Sequence, residues 1–302
     1  MKNIFYLTAA LLASLFGAAE VSADQLFTVL PVKVNDENCI SDFKKLSKIT
    51  PGSPEVSEIK TTLNNGCESG SKKCCTTLGS LYADGYLSTQ LIDDALKAWQ
   101  KGCALDDSES CAFLSDYYNG RFKSKNIDAD IARTYMDKAL KLAKKGCKEL
   151  KSEECTVYGS LLLFSSDRKD FQRAIESSLT KACLADNAEG CFYLGVKYAR
   201  FEQQDDKGFK YFKKACALGE SMACSVLSLT YMHGSPNNVI KKDISKAVEY
   251  GTKSCDMNDV KGCIILSKIF SKDLANEAEE RKFLSKACNL GDKKSCRKLQ
   301  QN

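Results

Sequence analysis

Fourteen of the sixteen cysteines fall into seven pairs of one spacing: a cysteine, seven residues, a cysteine. The spacing couples Cys67 with Cys75, Cys103 with Cys111, Cys147 with Cys155, Cys183 with Cys191, Cys216 with Cys224, Cys255 with Cys263 and Cys288 with Cys296. Successive pairs begin 36, 44, 36, 33, 39 and 33 residues apart. A pair recurring at such an interval marks an array of small units, each too short to hold a core alone and each given a covalent staple. Disulfides in this number persist only in an oxidising space.

The start of the chain agrees with that compartment. Lys2 is followed by an almost uncharged stretch, Ile4 to Gly17, and then by Val21-Ser22-Ala23. This reads as a secretory leader over residues 1–23, with cleavage before Asp24. The apolar stretch is shorter than the about 20 residues a membrane span needs, and no second span is expected after cleavage. Localisation is therefore secreted or periplasmic, with both left open. The net charge is +5, and only seven arginines contribute, spread along the chain. Nucleic-acid sites gather arginine and aromatics on one face, so no nucleic-acid partner is expected. Structural zinc sites take ligands typically about two to four residues apart. The wide pairs and the single histidine, His233, do not fit, so no metal and no cofactor are expected.

Aligning the chain on the second cysteine of each pair exposes the repeat. Three residues on stands Leu78, Leu114, Tyr158, Leu194, Leu227, Leu266 or Leu299. Next comes Gly79, Ser115, Gly159, Gly195, Ser228 or Ser267, with Gln300 breaking the series. Seven residues after the cysteine stands Tyr82, Tyr118, Leu162, Tyr198, Tyr231 or Phe270. Offsets of zero, three and seven form one helical stripe, and the small residue beside it lets a neighbouring helix come close. Core packing accounts for the aromatic stripe better than a cofactor box does. Upstream lies another helix, ending in Lys101-Gly102-Cys103, Lys181-Ala182-Cys183 or Lys286-Ala287-Cys288, with lysine suited to the negative end of the helix dipole. Between the cysteines the residues are turn-rich, as in Asn289-Leu290-Gly291-Asp292-Lys293. The expected fold is all-α: a right-handed α/α solenoid of helix-turn-helix repeats, each stapled by its cysteine pair.

Register also resolves the Cys74-Cys75 dipeptide. Only Cys75 places Leu78, Gly79 and Tyr82 at the repeat offsets, so Cys75 pairs with Cys67, and Cys39 is expected to bond Cys74. The expected organisation is a leader (1–23), an extended lead with a divergent helix pair (24–66, helices near Asn38–Ile49 and Glu55–Gly66), and the array (67–302), closed by a capping helix over Lys294 to Gln300. Long loops are expected over Gly120 to Asp130 and Gly234 to Asn238, and no linker divides the array.

These residues resemble SEL-like repeats, relatives of the tetratricopeptide repeats. The seven-residue cysteine gap and the leader further resemble the cysteine-rich Helicobacter secreted protein family, over roughly Gly66 to Leu299. The glycine turns Tyr82-Ala83-Asp84-Gly85-Tyr86 and Tyr231-Met232-His233-Gly234 fit that pattern, whereas Ser165-Ser166-Asp167 and Arg200-Phe201-Glu202 depart from it. The resemblance implies exported proteins that engage host or envelope partners, and also weak penicillin-binding proteins or β-lactamases acting on β-lactams or peptidoglycan-like molecules. Ser41-Asp42-Phe43-Lys44, Ser57-Glu58-Ile59-Lys60 and Ser178-Leu179-Thr180-Lys181 have the serine-lysine spacing of serine β-lactamases, but no Ser-Asp-Asn or Lys-Thr-Gly accompanies them. No catalytic residue is assigned.

The leading expectation is an exported scaffold that binds a protein or peptide along its concave face. The candidate face lies six residues past the second cysteine: Leu81, Tyr117, Leu161, Lys197, Thr230 and Ile269. Such variety at one offset suits a binding face, and equally suits positions that merely tolerate change. A structural envelope component without ligand is the further alternative.

Overall fold

The computed structural model of the chain describes residue 39 and residues 53–83, 91–122, 126–165, 168–235 and 239–301. The expected leader, the extended lead, the Asn38–Ile49 helix apart from Cys39, and parts of both long loops lie outside the described residues.

Fourteen α-helices follow one another there, without a strand among the described residues. They are α1 (Pro54–Glu68), α2 (Lys72–Ala83), α3 (Ile92–Ala104), α4 (Ser108–Tyr118), α5 (Ala129–Lys148), α6 (Ser152–Leu163), α7 (Gln172–Leu184), α8 (Ala188–Val196), α9 (Asp205–Ala217), α10 (Ser221–His233), α11 (Ile244–Asp256), α12 (Val260–Lys272), α13 (Glu277–Asn289) and α14 (Lys293–Gln301). A 3-10 turn, Arg168–Phe171, leads into α7, and a π-helical turn, Lys197–Phe201, prolongs α8. The architecture is an α/α solenoid of helix-turn-helix repeats. It divides into two compact units, and the division falls inside α7, between Ser178 and Leu179, rather than in a linker.

One turn recurs at all seven staples. Three residues after the first cysteine the backbone takes a positive φ: Gly70 (95°), Asp106 (59°), Leu150 (61°), Asp186 (54°), Gly219 (89°), Asn258 (58°) and Gly291 (98°). The N–H of that residue donates to the cysteine carbonyl, and the next N–H reaches back five residues. Asp106 to Cys103 (3.2 Å) and Asp107 to Gly102 (3.0 Å) show the pattern. The last carbonyls of the first helix are thereby satisfied. The residue after the left-handed one caps the second helix. Ser71, Asp107, Asn187, Glu220, Asp259 and Asp292 each accept an N–H from the first turn. Lys151 is the exception and makes no side-chain cap.

This geometry brings the paired Cα atoms to between 4.4 and 4.9 Å, within disulfide reach. Every pair is bonded: Cys67 to Cys75, Cys103 to Cys111, Cys147 to Cys155, Cys183 to Cys191, Cys216 to Cys224, Cys255 to Cys263 and Cys288 to Cys296. The second cysteine stands in the first turn of the second helix, where Cys111, Cys155, Cys191 and Cys263 are each 1% exposed or less. Cys296 occupies the same place on α14. Cys39 is joined to Cys74, and no free cysteine remains among the described residues.

Five second helices pack more extensively on the helix that follows across the longer loop, α2 on α3, α4 on α5, α8 on α9, α10 on α11 and α12 on α13, whereas α6 packs chiefly on α5. Around those five, the helices that share a disulfide touch less. The repeat stripe explains the difference. Tyr118 stacks on Tyr135 (centroids 5.8 Å apart), Tyr198 on Tyr211 (5.5 Å), Tyr231 on Tyr250 (5.7 Å) and Phe270 on Phe283 (5.5 Å), always across the longer loop. The small residue serves the same contact. A Cβ on Gly79 would stand 2.3 Å from Nε1 of the buried Trp99 on α3, so only glycine admits the indole there. The staple therefore closes the weaker joint, between one tightly packed hairpin and the next.

Candidate functional site

The six positions expected to form a binding face are all inside the fold. Leu81, Tyr117, Leu161, Lys197, Thr230 and Ile269 are each 5% exposed or less. The expectation assumed one buried stripe per helix. A second helix instead meets the helix before it, the helix after it and, as in α2–α4, α4–α6 and α10–α12, a neighbouring second helix. Offset six points into that crowd. Lys197 satisfies its charge there, with its ammonium 2.5 Å from Oε1 of Glu202 and 4.4 Å from the centroid of the Tyr198 ring. Two residues before the second cysteine, Lys73, Glu109, Glu153, Glu189, Met222 and Lys261 are half-buried and Lys294 is exposed. Ser160, Leu229 and Lys268, five residues after the cysteine, extend the same stripe.

In the first unit this stripe is acidic and partly buried. The Lys73 ammonium on α2 lies 3.0 Å from Oδ2 of Asp107, the α4 cap, and 3.6 Å from Oε2 of Glu109. Thr76 Oγ1 donates to Asp107 Oδ1 (2.8 Å), and Ser108 Oγ donates to Glu154 Oε2 on α6 (2.5 Å). One cation thus faces three carboxylates. Burial alone would weaken the Lys73 charge, but Asp107, Glu109 and Glu154 outweigh it and hold the ammonium above its ordinary range. Burial pushes Asp107 up, yet Lys73, the Ser110 N–H and the Thr76 hydroxyl pull it below the usual carboxylate range. Glu109 is pushed up to about 7, by burial first and by the repulsion of Asp107 and Glu154, against the pull of Lys73.

A carboxylate raised in the folded state holds a proton that the unfolded chain has already lost. Its contribution is fully present below its ordinary value of 4.5 and disappears as pH rises through about 7. Glu109→Gln should therefore stabilise this unit at about pH 8, by on the order of 1 kcal/mol once solvent screening is allowed for. The gain should fade toward pH 4.5, and urea unfolding at the two pH values reads it. A gain that stays constant with pH would contradict this account.

In the second unit the stripe turns basic. Along most of the array lysines are paired with acids of the preceding turn: Lys101 with Glu68 (2.7 Å), Lys138 with Asp106 (3.1 Å), Lys214 with Asp186 (2.9 Å) and Lys286 with Asp256 (3.1 Å). Helices α12 and α14 carry seven basic side chains and no carboxylate of their own. Burial and the neighbouring Lys272, Lys294 and Lys298 hold the Lys268 ammonium below its ordinary range. The acids nearby are engaged: Asp273 with Lys242 (2.7 Å), Glu280 with Lys298 (2.6 Å), and Asp259 with the hydroxyls of Ser225 (2.6 Å) and Ser254 (3.0 Å). No local motif marks the acidic cluster, because it is assembled from successive second helices.

His233 ends α10 beside Gly234, whose φ is 80°, and burial followed by the Lys242 charge pulls its imidazole below the usual value. Of the three serine-lysine patterns, Ser41 lies outside the described residues. Ser57 is exposed on α1, with Lys60 placed 5.5 Å from the Tyr82 ring centroid. Ser178 is buried, and its hydroxyl donates to the backbone oxygens of Ala174 (2.6 Å) and Ile175 (3.1 Å).

Residues 108–144, 188–220 and 221–259 match the Sel1 repeat family. In that register a repeat is a second helix with the following first helix, which is the tightly packed hairpin. Cytochrome c oxidase assembly factor 7A of Xenopus laevis is 37% identical over 60 residues, covering 20% of this chain and 25% of that protein. The match thus spans a quarter of that relative's length. Among solved structures, a protective antigen of uropathogenic Escherichia coli with an SLR fold aligns over 87% of this chain and 63% of its own, at 14% identity and a TM-score of 0.47. A Sel1 repeat protein from Oxalobacter formigenes aligns over 94% and 98%, at 12% identity and 0.42. An immunity protein from Pseudomonas aeruginosa aligns over 89% of both chains, at 15% identity and 0.47.

Proposed function

We propose, from the premise that this chain is a protein of Sel1 repeats stapled by disulfides, that it is an exported scaffold binding a protein or peptide along its second helices. Sel1-repeat folds commonly mediate protein-protein interaction, and a chain with this many disulfides suits an oxidising, extracytoplasmic space. Among the described residues no helix is long and apolar enough to cross a membrane.

The observation that carries the reading is a contrast within each second helix. Most repeats place the same side chains at the packing offsets, the cysteine, the leucine, the small residue and the aromatic, with Tyr158, Leu162 and Gln300 as departures. The half-buried offset two residues before the second cysteine changes from Lys73 through Glu109, Glu153, Glu189 and Met222 to Lys261, and ends in the exposed Lys294. Recurrent packing positions beside a varied stripe are what a shared scaffold with a dedicated ligand needs. The partner is a host or cell-envelope protein or peptide. The lactam reading gains nothing from Ser178, whose hydroxyl is spent on the backbone.

A photo-reactive residue placed at Glu153 or Met222 tests the reading against one placed at the exposed outer positions Lys141 or Lys213. Saturable cross-links to one envelope or host protein from the stripe positions alone are expected. Equal labelling from both sets, or none from the stripe, would refute it.

A further inference from the structure

We propose that the joint between α2, α4 and α6 is a proton-operated device, closed while the Glu109 carboxyl carries a proton and loosened when that proton leaves. The device belongs to the repeats themselves and does not depend on what the second helices bind. Side chains of three successive second helices meet at this joint. The Lys73 ammonium of α2 lies 3.0 Å from Oδ2 of Asp107 and 3.6 Å from Oε2 of Glu109. Glu154 of α6 closes the other side, where its Oε2 accepts from the hydroxyl of Ser108, the residue before Glu109, at 2.5 Å. Its stem lies over Gly146 of α5, where an added Cβ would stand 2.5 Å from Cγ of Glu154, so the carboxylate has little room to swing away.

Donors are shared unevenly among the three carboxylates. Asp107 takes Lys73, the Thr76 hydroxyl (2.8 Å) and the Ser110 N–H (2.8 Å), and Glu154 takes the Ser108 hydroxyl. Among the described residues Glu109 has Lys73 alone, at the longer distance. Cations of the neighbouring elements are bound elsewhere: Lys72 to the Asp106 carbonyl (3.1 Å), Lys101 of α3 to Glu68 (2.7 Å), Lys138 of α5 to Asp106 (3.1 Å) and Lys151, just before α6, to Glu149 (2.7 Å). Glu153 adds a further negative charge to the first turn of α6. With three carboxylates against one ammonium, the least-held group takes the proton first. That group is Glu109, whose side chain is 19% exposed and within reach of water, whereas Asp107 is fully buried. Its carboxyl is pushed up to about 7, by burial first and then by Asp107 and Glu154, against Lys73.

Opening the joint returns Glu109 to water and to its ordinary value of 4.5. Between 4.5 and about 7 opening therefore releases a proton, so rising pH favours it, and above about 7 the gain stops growing. The disulfides Cys103–Cys111 and Cys147–Cys155 still hold α4 to α3 and α6 to α5, so the change is a local opening of the joint rather than unfolding of the unit. In the second unit His233 is pulled below its usual value, so its charging loosens that unit as pH falls, which is the opposite sign.

Hydrogen exchange read by mass spectrometry on the full oxidised chain tests the device, at a series of pH values from 5.5 to 8.5 with labelling times scaled to equal intrinsic exchange. Amide protection in α4 and α6 should fall by about tenfold across the series, solvent screening allowed for, and protection in α10 and α12 should not fall with it. Glu109→Gln should abolish the dependence. Glu154→Gln should move its midpoint to lower pH by removing a repulsion, and Lys73→Gln should move it to higher pH by removing the attraction. If Lys73→Gln folds poorly, the shift in Glu154→Gln decides. A dependence that survives Glu109→Gln, an equal loss of protection in the second unit, or a midpoint unmoved by Glu154→Gln would overturn the proposal.

Discussion

Complete reduction of the disulfides should abolish cooperative folding at ambient temperature. Loss of a single staple, Cys216→Ala with Cys224→Ala, should cost about 2.6 kcal/mol on the chain-entropy account of a nine-residue loop. Seven such losses, even at half value, rival the roughly 5–15 kcal/mol that holds an ordinary domain together. The location of the staples gives the result a characteristic form. They lie at the joints between tightly packed hairpins, so removing one weakens the coupling between neighbours more than the hairpins themselves. The single-staple variant should therefore melt over a broader range, with calorimetric and van't Hoff enthalpies drawn apart. Helical signal should outlast tertiary signal on full reduction. A reduced protein that still melts sharply, within a few degrees of the oxidised one, would sink this account.

The fold is legible in the sequence because every unit solves the same packing problem with the same residues. The offsets of Leu78, Gly79 and Tyr82 recur down the chain, and the structure uses them as a leucine core, a close helix approach and an aromatic stack. The variable spacing between cysteine pairs already places the longer loop inside the unit, and the aromatic contacts run across that loop. The left-handed turn residue is visible in Gly70, Gly219, Gly291 and Asn258 once the repeats are aligned, and Leu150 conceals it in the third staple.

The candidate site is harder to read for a physical reason. Periodicity identifies the stripe that packs, but it does not say how many neighbours a helix has. Offset six, which holds Leu81 and Ile269, would be open on a helix with one partner and is closed on a helix with three. The Lys73–Asp107–Glu109–Glu154 cluster has no local signature, since its members come from three helices and meet only through the stacking of repeats. The basic face was in principle visible, because no acid occurs from Val260 to Lys272 or from Lys293 to Gln301. Charge runs of that kind ordinarily read as solvated surface.

The third staple supplies a stabilising variant. Leu150→Gly should raise the stability of the first unit by about 1 kcal/mol, and adding Lys151→Asn should raise the melting temperature by a further about 2–4 °C. Leu150 has a φ of 61° at a position where the other six turns hold glycine, aspartate or asparagine. A branched side chain in that conformation costs roughly 1–2 kcal/mol, from which the greater freedom of glycine in the unfolded chain takes back part. Little burial is lost in exchange, because Leu150 is 73% exposed. Lys151 follows where other turns place Asp107, Asn187 or Asp259, and it leaves the first N–H groups of α6 without a side-chain acceptor. Asparagine is preferable to aspartate there, since Glu153 and Glu154 already crowd that end with negative charge. Leu150→Ala separates the causes: alanine keeps the left-handed strain and should gain much less than glycine. If alanine and glycine performed alike, or if glycine destabilised the unit, backbone strain at this turn would not be what Leu150 costs the fold.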